Sequence, residues 1–258
     1  MTNKAIRYQA LVEKINAVDL TEMNQKNRIQ LRKYNCGQVN FWNYWEGKDH
    51  LDAKIFLVGQ DWGALDNQEE TIYDALESGT VDQNYQYMKN NKNLTNKRIC
   101  ELFKEIHPDY NLMEDTNTYH DLYFTNFIPW YREEGEKISG GYGIGWTEMA
   151  IPFFQELVDI IKPEIILCLG RTVLEGVVNS CEMTAYKICD SYNQCIEKGA
   201  FSAILNGNEL KLVPLAHCGS YGTINRNRKS KDKSKDSLEL QKEDWGKIRN
   251  LLRNDKLR

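Results

Sequence analysis

Ala53-Lys-Ile-Phe-Leu-Val-Gly-Gln-Asp-Trp-Gly63 is the stretch on which the fold turns. Ile55 to Val58 form a continuous bulky apolar run, the pattern of a strand buried on both faces in a parallel sheet. The run stops at Gly59, and the carboxylate of Asp61 follows two residues later. Gly59 and Gly63 bracket a turn in which backbone can approach a ligand with no Cβ in the way. Polar groups just past the carboxyl end of such a strand lie where open α/β sheets bind ligands.

Three more segments extend this pattern. Leu122 to Ile128 is aromatic and β-branched and ends at Pro129; Ile165 to Gly170 is apolar and follows Lys162-Pro163; Lys211 to Ala216 runs into His217. Pro214 cannot donate to a ladder, so the last segment reads as an edge strand or a bulge. Helical periodicity falls between the strands, at 96–107, 147–162 and 171–180, and again at 243–253. Alternating strands and helices predict an α/β fold, a three-layer α/β/α sandwich around a mostly parallel four-stranded sheet. Residues 1–50 form a separate extension on the α/β domain of 51–258. Its first part is amphipathic (Leu11, Ile15, Leu20, Met23, Ile29, Leu31), and 35–47 is rich in aromatics. The aromatic part reads as a packed loop or as a base-stacking surface.

Composition narrows the function classes. The 258 residues carry a net charge of −4, so a polyanionic partner would have to be met by a local patch. The one candidate is 225–236 with nearby Lys242, containing Arg226, Arg228, Lys229, Lys231, Lys233 and Lys235 against Asp232 and Asp236. It reads equally as a solvated loop or as a phosphate-attracting one. The apolar stretch around 160–169 is broken by Lys162, Pro163 and Glu164, and the start lacks the apolar core of a secretory signal. The 7 cysteines are odd in number and contain no Cys-x-x-Cys pair, which favours reduced thiols in a cytoplasmic setting. The spacing of Cys181, Cys189 and Cys195 fits no zinc pattern, so no metal is expected.

The first, second and fourth strands end in polar groups: Gln60 and Asp61, Asn126, and His217 followed by Gly219 and Ser220. If the strands are parallel neighbours, these groups share one rim. A carboxylate, an amide and an imidazole together can recognise an amide-like heterocycle and stabilise separating charges. Each also has a structural reading: Asp61 as a helix N-cap, Asn126 as a turn-capping amide, His217 as a packed side chain.

In this arrangement the chain resembles the uracil-DNA glycosylase superfamily over roughly residues 50–252. Gly59-Gln-Asp-Trp-Gly63 is similar to the first motif of the main class, Gly-Gln-Asp-Pro-Tyr. Thr125-Asn126 is similar to the uracil-reading segment. Glu148, Pro152-Phe153 and the block from Ile161 to Gly170 resemble the helix and third strand of the iron–sulfur class. His217-Cys-Gly-Ser-Tyr-Gly222 stands in place of His-Pro-Ser-Pro-Leu. The resemblance implies excision of a flipped base from single-stranded or duplex DNA. Asp61 would then position water and stabilise a cationic sugar, and His217 would donate to the anionic base. Asn126 would read the uracil edge, with Gln60, Gly219 and Ser220 contacting base and phosphates. Tyr221, four residues past the histidine, would fill the space the base vacates.

The departures from the family pattern alter the expectation. Gly63 replaces the tyrosine that excludes thymine, which opens the pocket to mismatched or modified bases. Trp62 replaces proline and either packs on the core or lines the pocket. The iron–sulfur class holds its cluster with four cysteines; the paired N-terminal ones are missing here, so no cluster and no other cofactor is implied. Tyr85 and Tyr87 are the candidates for the aromatic that stacks on the base. A monomer is the default expectation. Two other function classes stay open: a non-catalytic binder of uracil-containing or other nucleic acid, and a different α/β enzyme acting on nucleosides.

Overall fold

The computed structural model describes residues 2–32, 50–61, 94–109, 122–133, 144–186, 189–228 and 234–254. Trp62, Gly63, Tyr85, Tyr87, the aromatic segment 35–47 and residues 229–233 of the basic stretch lie outside the described residues.

The protein is mixed α/β, built on a six-stranded, mostly parallel sheet. Its four parallel strands are β2 (Ile55–Gly59), β3 (Leu122–Asn126), β5 (Ile165–Leu169) and β8 (Asn208–Leu215). Across the sheet they lie in the order β3-β2-β5-β8. The sequence reading of four strands is corrected to six, because β7 (Phe201–Leu205) and β6 (Met183–Thr184) add antiparallel to β8. β7 is buried only at alternate positions and the two-residue β6 is exposed at both, so they lack the continuous apolar run that marked the others.

Lys211 to Leu215 is therefore an interior strand and not an edge, despite Pro214. The Lys211 N–H donates to Glu164 O on the β5 side, so residues 211, 213 and 215 turn their N–H groups to β5. The nitrogen of Pro214 faces β7, whose first residue, Phe201, pairs with Leu212. β7 has not begun opposite Pro214, so the missing donor deprives no ladder bond.

Helices cover both faces. On one, α1 (Asn3–Ala17), α4 (Ile144–Ile161) and α5 (Arg171–Ser180) pack on Phe56, Val58, Tyr123, Ile166 and Cys168. On the other, α3 (Leu94–Ile106) and α8 (Ser237–Asn254) pack on Ile55, Leu57, Leu122, Ile165 and Leu167. Alternate residues of each strand thus enter different cores, and both cores need apolar groups. No helix among the described residues is long and apolar enough to cross a membrane.

Residues 2–32 are anchored in this architecture. Leu11, Val12 and Ile15 of α1 are buried in the first core. The Tyr8 and Tyr123 hydroxyls are 3.0 Å apart, and the Trp130 indole N–H donates to Ile15 O. After α2 (Thr21–Lys26) the chain forms β1 (Leu31–Arg32), which pairs antiparallel with β4 (Tyr131–Arg132), just beyond the end of β3.

If α1 is part of the cooperative core, Leu11→Ala lowers unfolding free energy by about 2–5 kcal/mol. Urea unfolding followed by tryptophan fluorescence measures this. A midpoint equal to that of the wild type would contradict the packing described.

Candidate functional site

Register brings the strand ends together. Gly59 pairs with Asn126, Val58 with Cys168, and Leu169 with Leu215, so all four parallel strands finish at one level. Counted along the chain, their spatial order is second, first, third, fourth, and the direction of winding reverses between β2 and β5. A reversal of this kind opens a crevice at the carboxyl ends of the strands. Gln60 and Asp61 leave β2 at this crevice, Asn126 closes β3, and His217 follows β8 by two residues.

Gly59 is required by its neighbour. A Cβ built on it would stand 2.1 Å from Asn126 Oδ1, so the amide of Asn126 lies directly across the glycine. Asn126 is only 6% exposed, yet its side-chain amide has no hydrogen-bond partner among the described residues. The backbone holds it in place: Phe127 N–H donates to Gly59 O and Ile128 N–H to Gln60 O.

Asp61 is held by a residue the sequence reading did not single out. Arg132 Nε donates to Oδ1 at 3.0 Å and Nη2 to Oδ2 at 2.9 Å, a bidentate fork. The Arg132 side chain is fully buried, and that of Asp61 is 7% exposed. Gln60 Nε2 also donates to Asp61 Oδ2, at 3.0 Å. Three of the carboxylate's roughly four acceptor positions are thereby occupied. The signal in the sequence was a lone arginine ending the apolar run from Phe127 to Tyr131; such a residue is seldom buried without a carboxylate partner.

His217 sits in a turn whose geometry fixes its tautomer. The Gly219 N–H donates to Nδ1 at 2.9 Å, so in the neutral ring the proton is on Nε2, which is left as a donor. His217 is exposed at its outer side, yet the protein packed around the ring partly desolvates the imidazolium and lowers the pKa below its usual value. The carboxylate of Asp61 opposes that shift, which puts the acid and the imidazole within electrostatic reach of each other. Gly222 is also constrained: a Cβ there would meet His217 O at 2.1 Å.

A polar network braces this turn from behind. Gln241 Nε2 donates to His217 O at 3.2 Å, and Arg98 Nη1 donates to Thr223 Oγ1 at 2.7 Å. The Thr223 hydroxyl lies 2.9 Å from Gln241 Oε1. Neighbouring Cys218 is fully buried, and burial pushes its thiol far up, which removes it as a thiolate nucleophile.

Ser220 begins α7 (Ser220–Arg228), a helix that the polar sequence did not announce. Tyr221 is 77% exposed and Ile224, on the same face one turn later, is 59% exposed. The reading of 225–236 as one basic loop is corrected. Residues 225–228 complete α7, and Arg226 is buried in an ion pair with Asp244. Lys235 and Lys242 pair at the surface with Glu243 and Glu101.

A scan against family models matches none, and no curated protein gives a significant match.

Two outcomes test this geometry. Gly59→Ala forces the Asn126 amide aside and costs about 1–3 kcal/mol of overpacking, read by chemical denaturation; an unchanged midpoint would mean the amide does not lie on the glycine. His217 titrates below 6.5 by NMR, and Asp61→Asn lowers its midpoint further. Because the folded protein disfavours the imidazolium, the stability linked to His217 is fully present above pH 6.5 and is lost as pH falls through the lowered folded value. A midpoint at or above 6.5 would contradict the assignment.

Proposed function

We propose that the protein is a DNA glycosylase that hydrolyses the N-glycosidic bond of uracil or a related damaged or mismatched base in a flipped nucleotide. The observation that carries this reading is the amide of Asn126, a residue 6% exposed whose side chain has no hydrogen-bond partner among the described residues, at the same rim as the Nε2–H donor of His217. A nucleobase with a donor and a carbonyl on one edge would complete the amide. The motif resemblance supports the same assignment.

In the reaction, water adds to C1′ as the C1′–N bond breaks, and the bond's electron pair leaves on the base. The neutral imidazole of His217 donates a hydrogen bond to the base as negative charge develops there, and Asp61 faces the positive charge on the sugar. The attacking water's surplus proton ends on the departing base or in solvent. Flipping costs a few kcal/mol, least for a mismatched or single-stranded base. The exposed side chains of Tyr221 and Ile224 suit insertion into the vacated stack. DNA is the proposed partner, met in the reducing interior where buried thiols persist.

One observation favours a second reading, a binder that does not cut. Arg132 and Gln60 occupy most of the acceptor capacity of Asp61, which limits its use as a mobile base.

Oligonucleotides carrying uracil, hypoxanthine or a G·T mismatch, single-stranded and duplex, followed by alkaline cleavage, separate the two. The glycosylase reading expects strand breaks that Asp61→Asn abolishes and that His217→Ala slows about 100- to 1000-fold. Intact strands with tight binding would replace it with the binder.

A further inference from the structure

We infer that Arg132 is a positioning residue for Asp61, and that the segment from Asn24 to Arg32 is part of the active-site scaffold through it. The inference rests on the base-excision reading above and adds a residue that its mechanism does not itself call upon.

Arg132 is a fully buried cation whose described partner at the rim is a carboxylate in fork geometry. A guanidinium fork is planar and fixes a carboxylate's plane as well as its place, which an ammonium on a flexible stem does not. Asp61 is thereby prevented from rotating, and its role narrows from carrying a proton to orienting water and sugar charge from a set position.

The fork is itself placed by the N-terminal segment. Leu31 pairs with Arg132 in the β1–β4 ladder, and the Glu133 N–H donates to Gln30 O at 2.9 Å. The side chain of Asn24 clamps Leu31 from both sides, donating to Leu31 O at 2.8 Å and accepting from Leu31 N–H at 2.7 Å. The Trp146 indole N–H donates to Ile29 O at 2.8 Å, fixing the same stretch to α4. One line of contacts therefore runs from Asn24–Arg32 through Arg132 to the carboxylate just past the end of β2. A merely structural role for the pair would affect how much protein folds, without changing the rate of each folded molecule.

Single-turnover excision of uracil from a single-stranded oligonucleotide by the full-length protein tests this, with folding checked by circular dichroism. Arg132→Ala is expected to lower the rate about 100-fold with substrate half-saturation unchanged. Added guanidinium ion should restore part of that rate in Arg132→Ala, but not in Arg132→Met, whose side chain fills the space. Arg132→Lys, which keeps the charge and loses the fork, should fall between Arg132→Ala and the wild type, and serves if the alanine variant does not fold. A folded Arg132→Ala or Arg132→Lys that excises at the wild-type rate overturns the inference and leaves the glycosylase reading standing. A wild type that neither cuts nor binds these strands overturns that reading, and the inference with it.

Discussion

The register of the parallel strands is the constraint from which the site follows. Gly59 and Asn126 are direct partners, and Leu169 and Leu215 finish level with them, so four chain segments distant in sequence deliver their next residues to one rim. A slip of one residue in β3 would turn Asn126 from one face of the sheet to the other and break its seat on Gly59. The two apolar cores hold that register by claiming alternate side chains of every strand. Their demand for apolar surface is also why the strands themselves carry no chemistry and the residues after them do.

At the rim, electrostatics and burial work against each other in a useful way. Partial desolvation disfavours the His217 imidazolium, and the backbone N–H of Gly219 chooses which nitrogen of the neutral ring holds the proton. The charge of Asp61 would favour the imidazolium, and the fork of Arg132 neutralises much of that charge. The result is a donor near an organised carboxylate, beside an amide with no side-chain partner among the described residues, and such a set would suit a neutral heterocycle with carbonyl and N–H groups on one edge. The same fork limits Asp61 as a proton acceptor, and so bears on whether the protein cuts or only holds its ligand.

Much of this was legible because burial on two faces writes a continuous apolar run. Ile55–Gly59, Leu122–Asn126 and Ile165–Leu169 were read from that signal, and the polar residues that end them follow directly. The edge strands were not, since Phe201–Leu205 buries only alternate residues and Met183–Thr184 none. Pro214 misled because the rule against proline in interior strands assumes a partner on both sides along the full length. Arg132 escaped notice because its partner is 71 residues away; an ion pair across that distance leaves no local pattern beyond one charge in an apolar run. The helix at Ser220–Arg228 was hidden by its polar composition, and with it the burial of Arg226, which the charge run had placed in a solvated or phosphate-attracting loop.

The central claim is that the rim formed by Gln60, Asp61, Asn126 and His217 is a nucleobase pocket. NMR of the isotopically labelled protein during titration with free uracil tests it without requiring catalysis. The account predicts saturable shifts in the Asn126 side-chain amide, the His217 ring and the backbone of Gln60 and Gly219, with the far end of the sheet unchanged. Spectra that stay superimposable at high uracil concentration, or shifts confined to another surface, would contradict it.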